Sequence, residues 1–515
     1  MITFEKIINQ FSSKITRKLQ KKLFTGLVLA SVVVLHIFLI TQNISDLFLR
    51  YNEDNNALYS IAAQNLVSDG ALHLKFGLVT GKIIEGAELQ YYTHHPSFFV
   101  LPTALVYAIF GVSELTTRLA PIIFSVMSVV LMFLLVLETR KKLLLAFFAG
   151  FVMATAPALA FYGKMLDPEI FVIFFSLLSI YLFYLRKRIE NQYLSYALLG
   201  VILLGTTMGW HFYFTGFVIW LAIISEKQYP NRKLFTFGLP LLVLVTVTLQ
   251  VGQFWLLGGE SGVAGFLDAG ALRTEGVAWS VWSRKMLTIG QYEYSAVAIF
   301  VASAWAIFSA SLSIKRREFS ISAILLLIPL LIMVIFREWM MHFYSLMYFA
   351  PFIALALAEV LNISYEVLKK ISGSKLIAGL VVFYLLLGQY FFTTQALAFF
   401  KTAFSVDEST VETLKSLKSA KTQDIICYGE SSSGQVVDAI YGFYLDARMY
   451  NFKNCVNENK ANLAVIGNPQ ISNFENRVYE EYQKIGYTML GCGGKICVLG
   501  LTPLETLQNN QENEQ

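Results

Sequence analysis

The sequence predicts a polytopic α-helical membrane protein ending in a small α/β domain, and three observations carry that prediction. Of 515 residues, 56% are hydrophobic and 15% are charged, with mean hydropathy +0.57; soluble domains carry about 25% charged residues. Apolar runs close to the roughly 20 residues that cross a bilayer recur from Leu23 to about Phe400. From Thr402 the pattern changes to short alternating helix and strand signals. The net charge of +5 does not mark a nucleic-acid binder. The Lys and Arg residues sit in short clusters between apolar runs, as they do in cytoplasmic loops.

In chain order, residues 1–22 hold six Lys/Arg and precede Leu23–Ile40 with no small-residue cleavage site, the pattern of a retained anchor. The first crossing then runs outwards from the cytoplasm, and the loop 42–96 is external. Phe98–Phe110 is 13 residues long with Pro102 inside it, which suits an interfacial helix better than a crossing. Reading it so keeps Arg140–Lys142, Arg186–Arg188, Lys227–Lys233, Lys315–Arg317 and Lys369–Lys375 all cytoplasmic; counting it as a crossing turns them outside. Eleven crossings follow, at roughly 23–41, 119–137, 143–161, 169–185, 193–209, 211–225, 234–257, 295–313, 319–336, 343–361 and 376–399. The membrane domain is 1–401, and the plasma membrane is its expected location.

Residues 402–505 read as an extracytoplasmic α/β domain. Helices are expected at Asp407–Ala420, Val436–Tyr444 and Phe474–Lys484, and strands at Asp424–Tyr428 and Leu463–Ile466. A closing hairpin, Tyr487–Leu490 with Lys495–Leu499, surrounds Gly491-Cys492-Gly493-Gly494, and the tail 506–515 is polar and disordered by composition. All four cysteines lie here. An external compartment permits disulfides, with Cys492–Cys497 and Cys427–Cys455 the expected pairs. Zinc and unpaired thiols stay open, although no CxxC pair exists.

This topology collects Glu53, Asp54, His94, His95, Arg118, Lys164, Asp167, Glu169, His211, Arg337 and His342 at the external face, with His36 and His73 on the same side. Ionisable groups beside a bilayer are costly unless used, although loops are also simply where polar residues can live. Asp54 is the first candidate base, because desolvation at a span end raises a carboxylate's proton affinity. Its structural alternative is a cap for a helix Ala57–Val67. Asp167, before Pro168, is the second carboxylate, and it too can be merely a helix cap. Arg118, Arg337, Lys164, His211, His342 and the pair His94-His95 suit phosphate, against headgroup snorkelling for the two arginines. Imidazoles also suit a divalent metal, so His94 and His95 are possible ligands, though adjacent residues do not easily share one ion.

Together these motifs resemble the GT-C glycosyltransferases of the protein O-mannosyltransferase and aminoarabinose-transferase type, over about residues 23–362. The resemblance rests on the acidic Glu53-Asp54 after the first span with its following helix around Tyr59, and on His95-Pro96 opening an interfacial helix. It rests also on Gly111…Glu114…Arg118-Leu119 and on Leu166-Asp167-Pro168 in the second external loop. It implies a polyprenyl-phosphate sugar donor, a catalytic Asp54, a supporting Asp167 and no obligatory cofactor. It also implies a donor site that includes Glu53, Tyr59 and Tyr92. A strict count back from Tyr59 lands on Asn55, but an amide cannot take a proton from an acceptor hydroxyl, which keeps the base at Asp54. The acceptor, whether glycan, lipid or protein, is not readable. The rival is a transporter or flippase of lipid-linked saccharides, which would spread polar groups through both sides of the bilayer.

Overall fold

A computed structural model describes residues 4–50, 53–274, 276–316, 318–402, 406–420, 425–428, 438–451, 463–467, 470, 473–485, 487–493 and 496–501. Tyr51, Asn52, Arg317, Asp424, Val436, Cys455 and the expected tail 506–515 lie outside the described residues.

Apolar helices stand at all eleven expected crossing positions. Seven are long and apolar enough to cross a membrane: Leu19–Ile40, Glu114–Arg140, Pro168–Arg188, Arg232–Thr274, Ala296–Arg316, Phe343–Ser372 and Lys375–Thr402. Leu143–Ala154, Tyr193–Thr206, Phe212–Ser225 and Ile321–Ile335 are shorter, so the count of eleven crossings remains an expectation. The chain is a multi-pass membrane protein. Phe98–Val100 forms a 3-10 turn leading into the helix Leu101–Phe110, whose Leu105, Ile109 and Phe110 are exposed.

The expected continuous span 143–161 is a correction. Its helix ends at Ala154, and Pro157 opens a separate helix, Pro157–Tyr162, because proline cannot supply the amide that a continuing helix needs. Gly163 follows, and a Cβ there would lie 2.3 Å from the Leu159 carbonyl oxygen and 2.7 Å from Ser125 Oγ. The span near 234–257 is also longer than expected. Arg232–Thr274 is interrupted at Gly259 (φ 58°), and its second half folds back, with Phe254 and Phe266 5.6 Å apart.

At the core, Glu114–Arg140 packs along Pro168–Arg188, where Phe124 meets Phe171 and Phe174 at 4.7 and 5.0 Å. Basic residues gather at one end of these helices, in the ion pairs Arg140–Glu359, Lys187–Glu226 and Arg188–Glu138. Arg118 and Asp167 lie at the other end.

The C-terminal strands are β1 (Ile425–Tyr428), β2 (Arg448–Asn451), β3 (Leu463–Gly467), β4 (Tyr487–Gly493) and β5 (Ile496–Leu501). They form one sheet in the order β2-β1-β3-β5-β4, with β1 parallel to both neighbours and β5 antiparallel to its own. The sequence reading missed β2. Cys492 and Cys497 face each other across β4 and β5 and form the expected disulfide. Cys427 is disulfide-bonded too, while its expected partner, Cys455, lies outside the described residues. The helix Glu408–Ala420 is capped by Asp407, whose Oδ1 accepts from Thr410 N at 2.8 Å.

This unit does not own its core. Phe48 and Ala57, from the segment after the first apolar helix, are fully buried with Val411, Leu414, Ile440, Leu445 and Ile496. Phe48 N donates to the Tyr444 hydroxyl at 2.7 Å, and Val406 N donates to Leu49 O at 3.1 Å.

Candidate active site

The segment after the first apolar helix is built around a buried ion pair. Arg118 is completely buried and donates from Nη2 to Glu53 Oε1 at 2.6 Å and from Nη1 to the carbonyls of Ile44 and Asp46. Glu53 Oε2 in turn accepts from the amides of Leu49 and Arg50. Most of the pair's remaining hydrogen-bonding capacity is used, which limits the cost of burying it, while Arg118 Nε has no partner among the described residues. Both residues are expected at substrate; the structure shows them holding residues 44–53 together.

That arrangement starts the next helix at Glu53, four residues before the expected Ala57. Asp54 therefore sits inside the first helical turn, half-buried, and is not the N-cap. The two residues after it reach the second loop. Asn55 Nδ2 donates to Asp167 Oδ2 at 2.8 Å, and Asn56 Oδ1 accepts from Leu166 N at 2.7 Å. Asp167 does occupy the N-cap position of Pro168–Arg188, yet its carboxylate makes no cap bond. It hydrogen-bonds to Glu169 as well as Asn55, and burial pushes it up to about 6, against the pull of those two bonds. Glu169 is buried with one oxygen unpartnered. Asp54, Asp167 and Glu169 all lie within electrostatic reach of the Tyr344 hydroxyl.

Facing this acidic corner is a cation that the sequence reading missed. Arg273, at the end of the folded-back half of Arg232–Thr274, donates to His95 Nε2 at 3.3 Å and hydrogen-bonds to Tyr92. Its helix is held there by close packing of Gly265 on Thr93 and by Trp210, whose ring packs at a tilt on Phe266 (4.6 Å) and which donates to the His94 carbonyl. Tyr92 touches His94 (4.4 Å between rings) and Tyr59 (6.1 Å), and Tyr59 is buried against Phe99. Burial, then Arg273, holds His95 and His94 below their ordinary range. His342 stacks on Tyr344 and is lowered to about 4 by burial and by nearby Lys285 and Arg273. His211 is buried and stacked on Trp339 at 4.1 Å, with Nδ1 unpartnered.

Other expected site residues lie apart. Lys164 is buried and donates to Gln42 O at 2.6 Å, and burial lowers it to about 7. Arg337 lies over the Trp279 ring at 4.7 Å. His36 is structural, bonded to Ala154 O and Ser125 Oγ. Among the described residues no group of three or more His, Cys, Asp or Glu side chains stands together as metal ligands.

The signal for Arg273 was present but unread. Gly258-Gly259 marks a break in a long apolar helix, and a lone arginine follows before the next apolar run. Tyr344 was hidden because it lies beside a span whose apolar character dominates the local pattern.

An acidic corner thus faces an arginine–imidazole group at one end of an apolar helix bundle, and that bundle has the GT-C fold. Residues 91–255 match the family described as dolichyl-phosphate-mannose-protein mannosyltransferase. The crystal structure of ArnT from Cupriavidus metallidurans bound to undecaprenyl phosphate superposes with a TM-score of 0.63 at 12% identity, covering 93% of this chain and 98% of that one. AglB from Archaeoglobus fulgidus, an archaeal oligosaccharyltransferase in complex with an inhibitory peptide and a dolichol-phosphate, superposes at 0.59 and 14% identity, covering 94% and 75%. No curated protein sequence matches the chain.

Proposed function

We propose that the chain transfers a sugar from a polyprenyl-phosphate carrier to an acceptor hydroxyl at the extracytoplasmic face. The observation carrying this reading is the Asn55–Asp167 bond, which joins the Asp54 turn to the second carboxylate loop opposite Arg273. The shared fold and the match over residues 91–255 support the donor class.

In this reading Asp54 accepts the proton of the acceptor hydroxyl as its oxygen bonds to the anomeric carbon. The carbon–oxygen bond to phosphate breaks, and the electron pair leaves on the polyprenyl phosphate. Arg273, His95 and Tyr92 stand where that charge develops, so no metal is required for leaving-group stabilisation. A single displacement inverts the anomeric centre, whether the sugar is a hexose or a pentose. Asp167 positions the Asp54 turn through Asn55. The lipid tail has a place as well. An apolar groove of about 510 Å³, lined by Trp282, Met286, Tyr294, Leu330, Phe349 and Ile353, begins on the helix that carries Lys285.

A flippase would carry polar groups through the bilayer at both leaflets, whereas these residues gather at one end. The deciding experiment uses Asp54→Asn with a panel of labelled lipid-phosphate sugars. Transfer should vanish while the protein elutes and melts as wild type, and near-normal transfer would remove Asp54 from the role. Transfer by the wild type in excess EDTA tests the metal-free reading.

A further inference from the structure

At the basic end of the bundle, away from the acidic corner, a second cavity of about 470 Å³ opens among the ends of five helices. Its size is in the range of small-ligand sites, roughly 300–1,000 Å³. Charges of both signs line it: Arg140, paired with Glu359, and Lys187, paired with Glu226, together with Arg316 and Glu318. Arg316 and Glu318 have no ion-pair partner among the described residues. Tyr184 also lines the cavity; its ring lies under the Lys187 ammonium, and its hydroxyl is buried with no hydrogen-bond partner. Buried hydroxyls are normally satisfied, so this donor points to a missing acceptor.

A third cavity, of about 400 Å³, shares Ser309, Ser313, Glu318 and Phe319 with the second and continues past Leu326 and Leu327. This one is almost wholly apolar. A mixed-charge chamber joined to an apolar groove along a membrane helix matches a headgroup joined to an acyl chain. Basic pockets between membrane helices hold phosphorylated headgroups. A purely anionic head would leave Glu318 against a phosphate, whereas an added ammonium would pair with it.

We propose that this end of the molecule binds one amine-bearing zwitterionic phospholipid. Its phosphate meets Arg316, Arg140 and the Tyr184 hydroxyl, its ammonium meets Glu318, and one chain lies beside Leu326 and Leu327. The positive-inside reading places this lipid in the inner leaflet, and its binding is independent of sugar transfer.

The test is native mass spectrometry of the full-length protein after equilibration with equal phosphatidylethanolamine and phosphatidylglycerol. Wild type should retain one phosphatidylethanolamine roughly fivefold over phosphatidylglycerol, a difference of about 1 kcal/mol. Glu318→Gln should abolish the preference, and Arg316→Gln should lose both lipids. Asp54→Asn should bind as wild type, which separates this site from the transfer reaction. Phosphatidylethanolamine, but not soluble phosphoethanolamine, should raise the melting temperature. A preference that survives Glu318→Gln, adducts unchanged in Arg316→Gln, a wild-type preference for phosphatidylglycerol, or equal stabilisation by the soluble headgroup would each overturn the proposal.

Discussion

Two side chains show how burial assigns roles that residue type alone leaves open. Lys164 has a stem packed in protein and a single carbonyl acceptor, and burial lowers it to about 7 from 10.5. The unfolded chain therefore binds more protons than the native one between about pH 7 and 10.5, so stability rises with pH across that window. The slope is about 1.4 kcal/mol per unit, and it is absent below pH 7, where both states are protonated. Lys164→Met removes it: the melting temperature of wild type minus that of the variant should climb between pH 7 and 9. A flat difference would show that Lys164 stays protonated. Arg273 is the opposite case, a half-buried cation held beside His95 and Tyr92. Replacing it with Gln removes a charged hydrogen bond of about 1.5–3 kcal/mol, so kcat/KM for the lipid donor should fall roughly 10- to 100-fold. Arg273→Lys should recover part of that loss, and unchanged kinetics would place the phosphate elsewhere.

Among the elements, the start of Glu114–Arg140 controls the site without taking part in it. Ser113 and Thr116 form a capping box, and one turn later Arg118 grips residues 44–53. Arg118→Met leaves buried Glu53 with only the longer 4.0 Å ion-pair contact to Arg50, and breaking a buried pair in this way costs up to about 3–5 kcal/mol. Glu53→Leu with Arg118→Met should be less damaging than Arg118→Met alone, measured by melting; equal damage would mean that the pair is not coupled. The order of apolar helices was legible because lipid demands runs of fixed length, whatever the side-chain detail. The meeting of the Asp54 and Asp167 loops was legible because topology puts both loops on one side. Helix ends were not. Glu53 begins its helix because Arg118, 65 residues away, fixes it, and no window of local sequence contains both. Arg273 was lost because Gly259 turns the chain back on itself, and a single glycine gives no direction.

For the whole molecule, the question is whether the C-terminal sheet is a separable appendage. Composition alone favours that view, since the change at Thr402 is abrupt. Yet Phe48 is buried between the sheet's helices, where it meets Phe443 at 5.0 Å and also lies over the Arg118 guanidinium at 5.0 Å. One aromatic ring thus belongs to both the C-terminal core and the site's supporting ion pair. Arg448 donates to Glu88 O, and Lys82 pairs with Asp446 at 3.2 Å, so the long first loop is held at a second place. The half-buried Lys82 pair, still open to solvent, contributes little, about 0–1 kcal/mol, whereas uncovering Phe48 and Ala57 removes apolar packing from the helix that carries Asp54. Truncation after Thr402 should therefore abolish transfer and lower the melting temperature of the membrane part by more than Lys82→Ala does. Phe48→Ala in the full chain should reproduce much of that effect, because large aromatic truncations in cores cost about 3–5 kcal/mol. A truncated protein that still transfers sugar at wild-type rate would show that the acidic corner stands without the sheet, and that the shared core serves only the C-terminal unit.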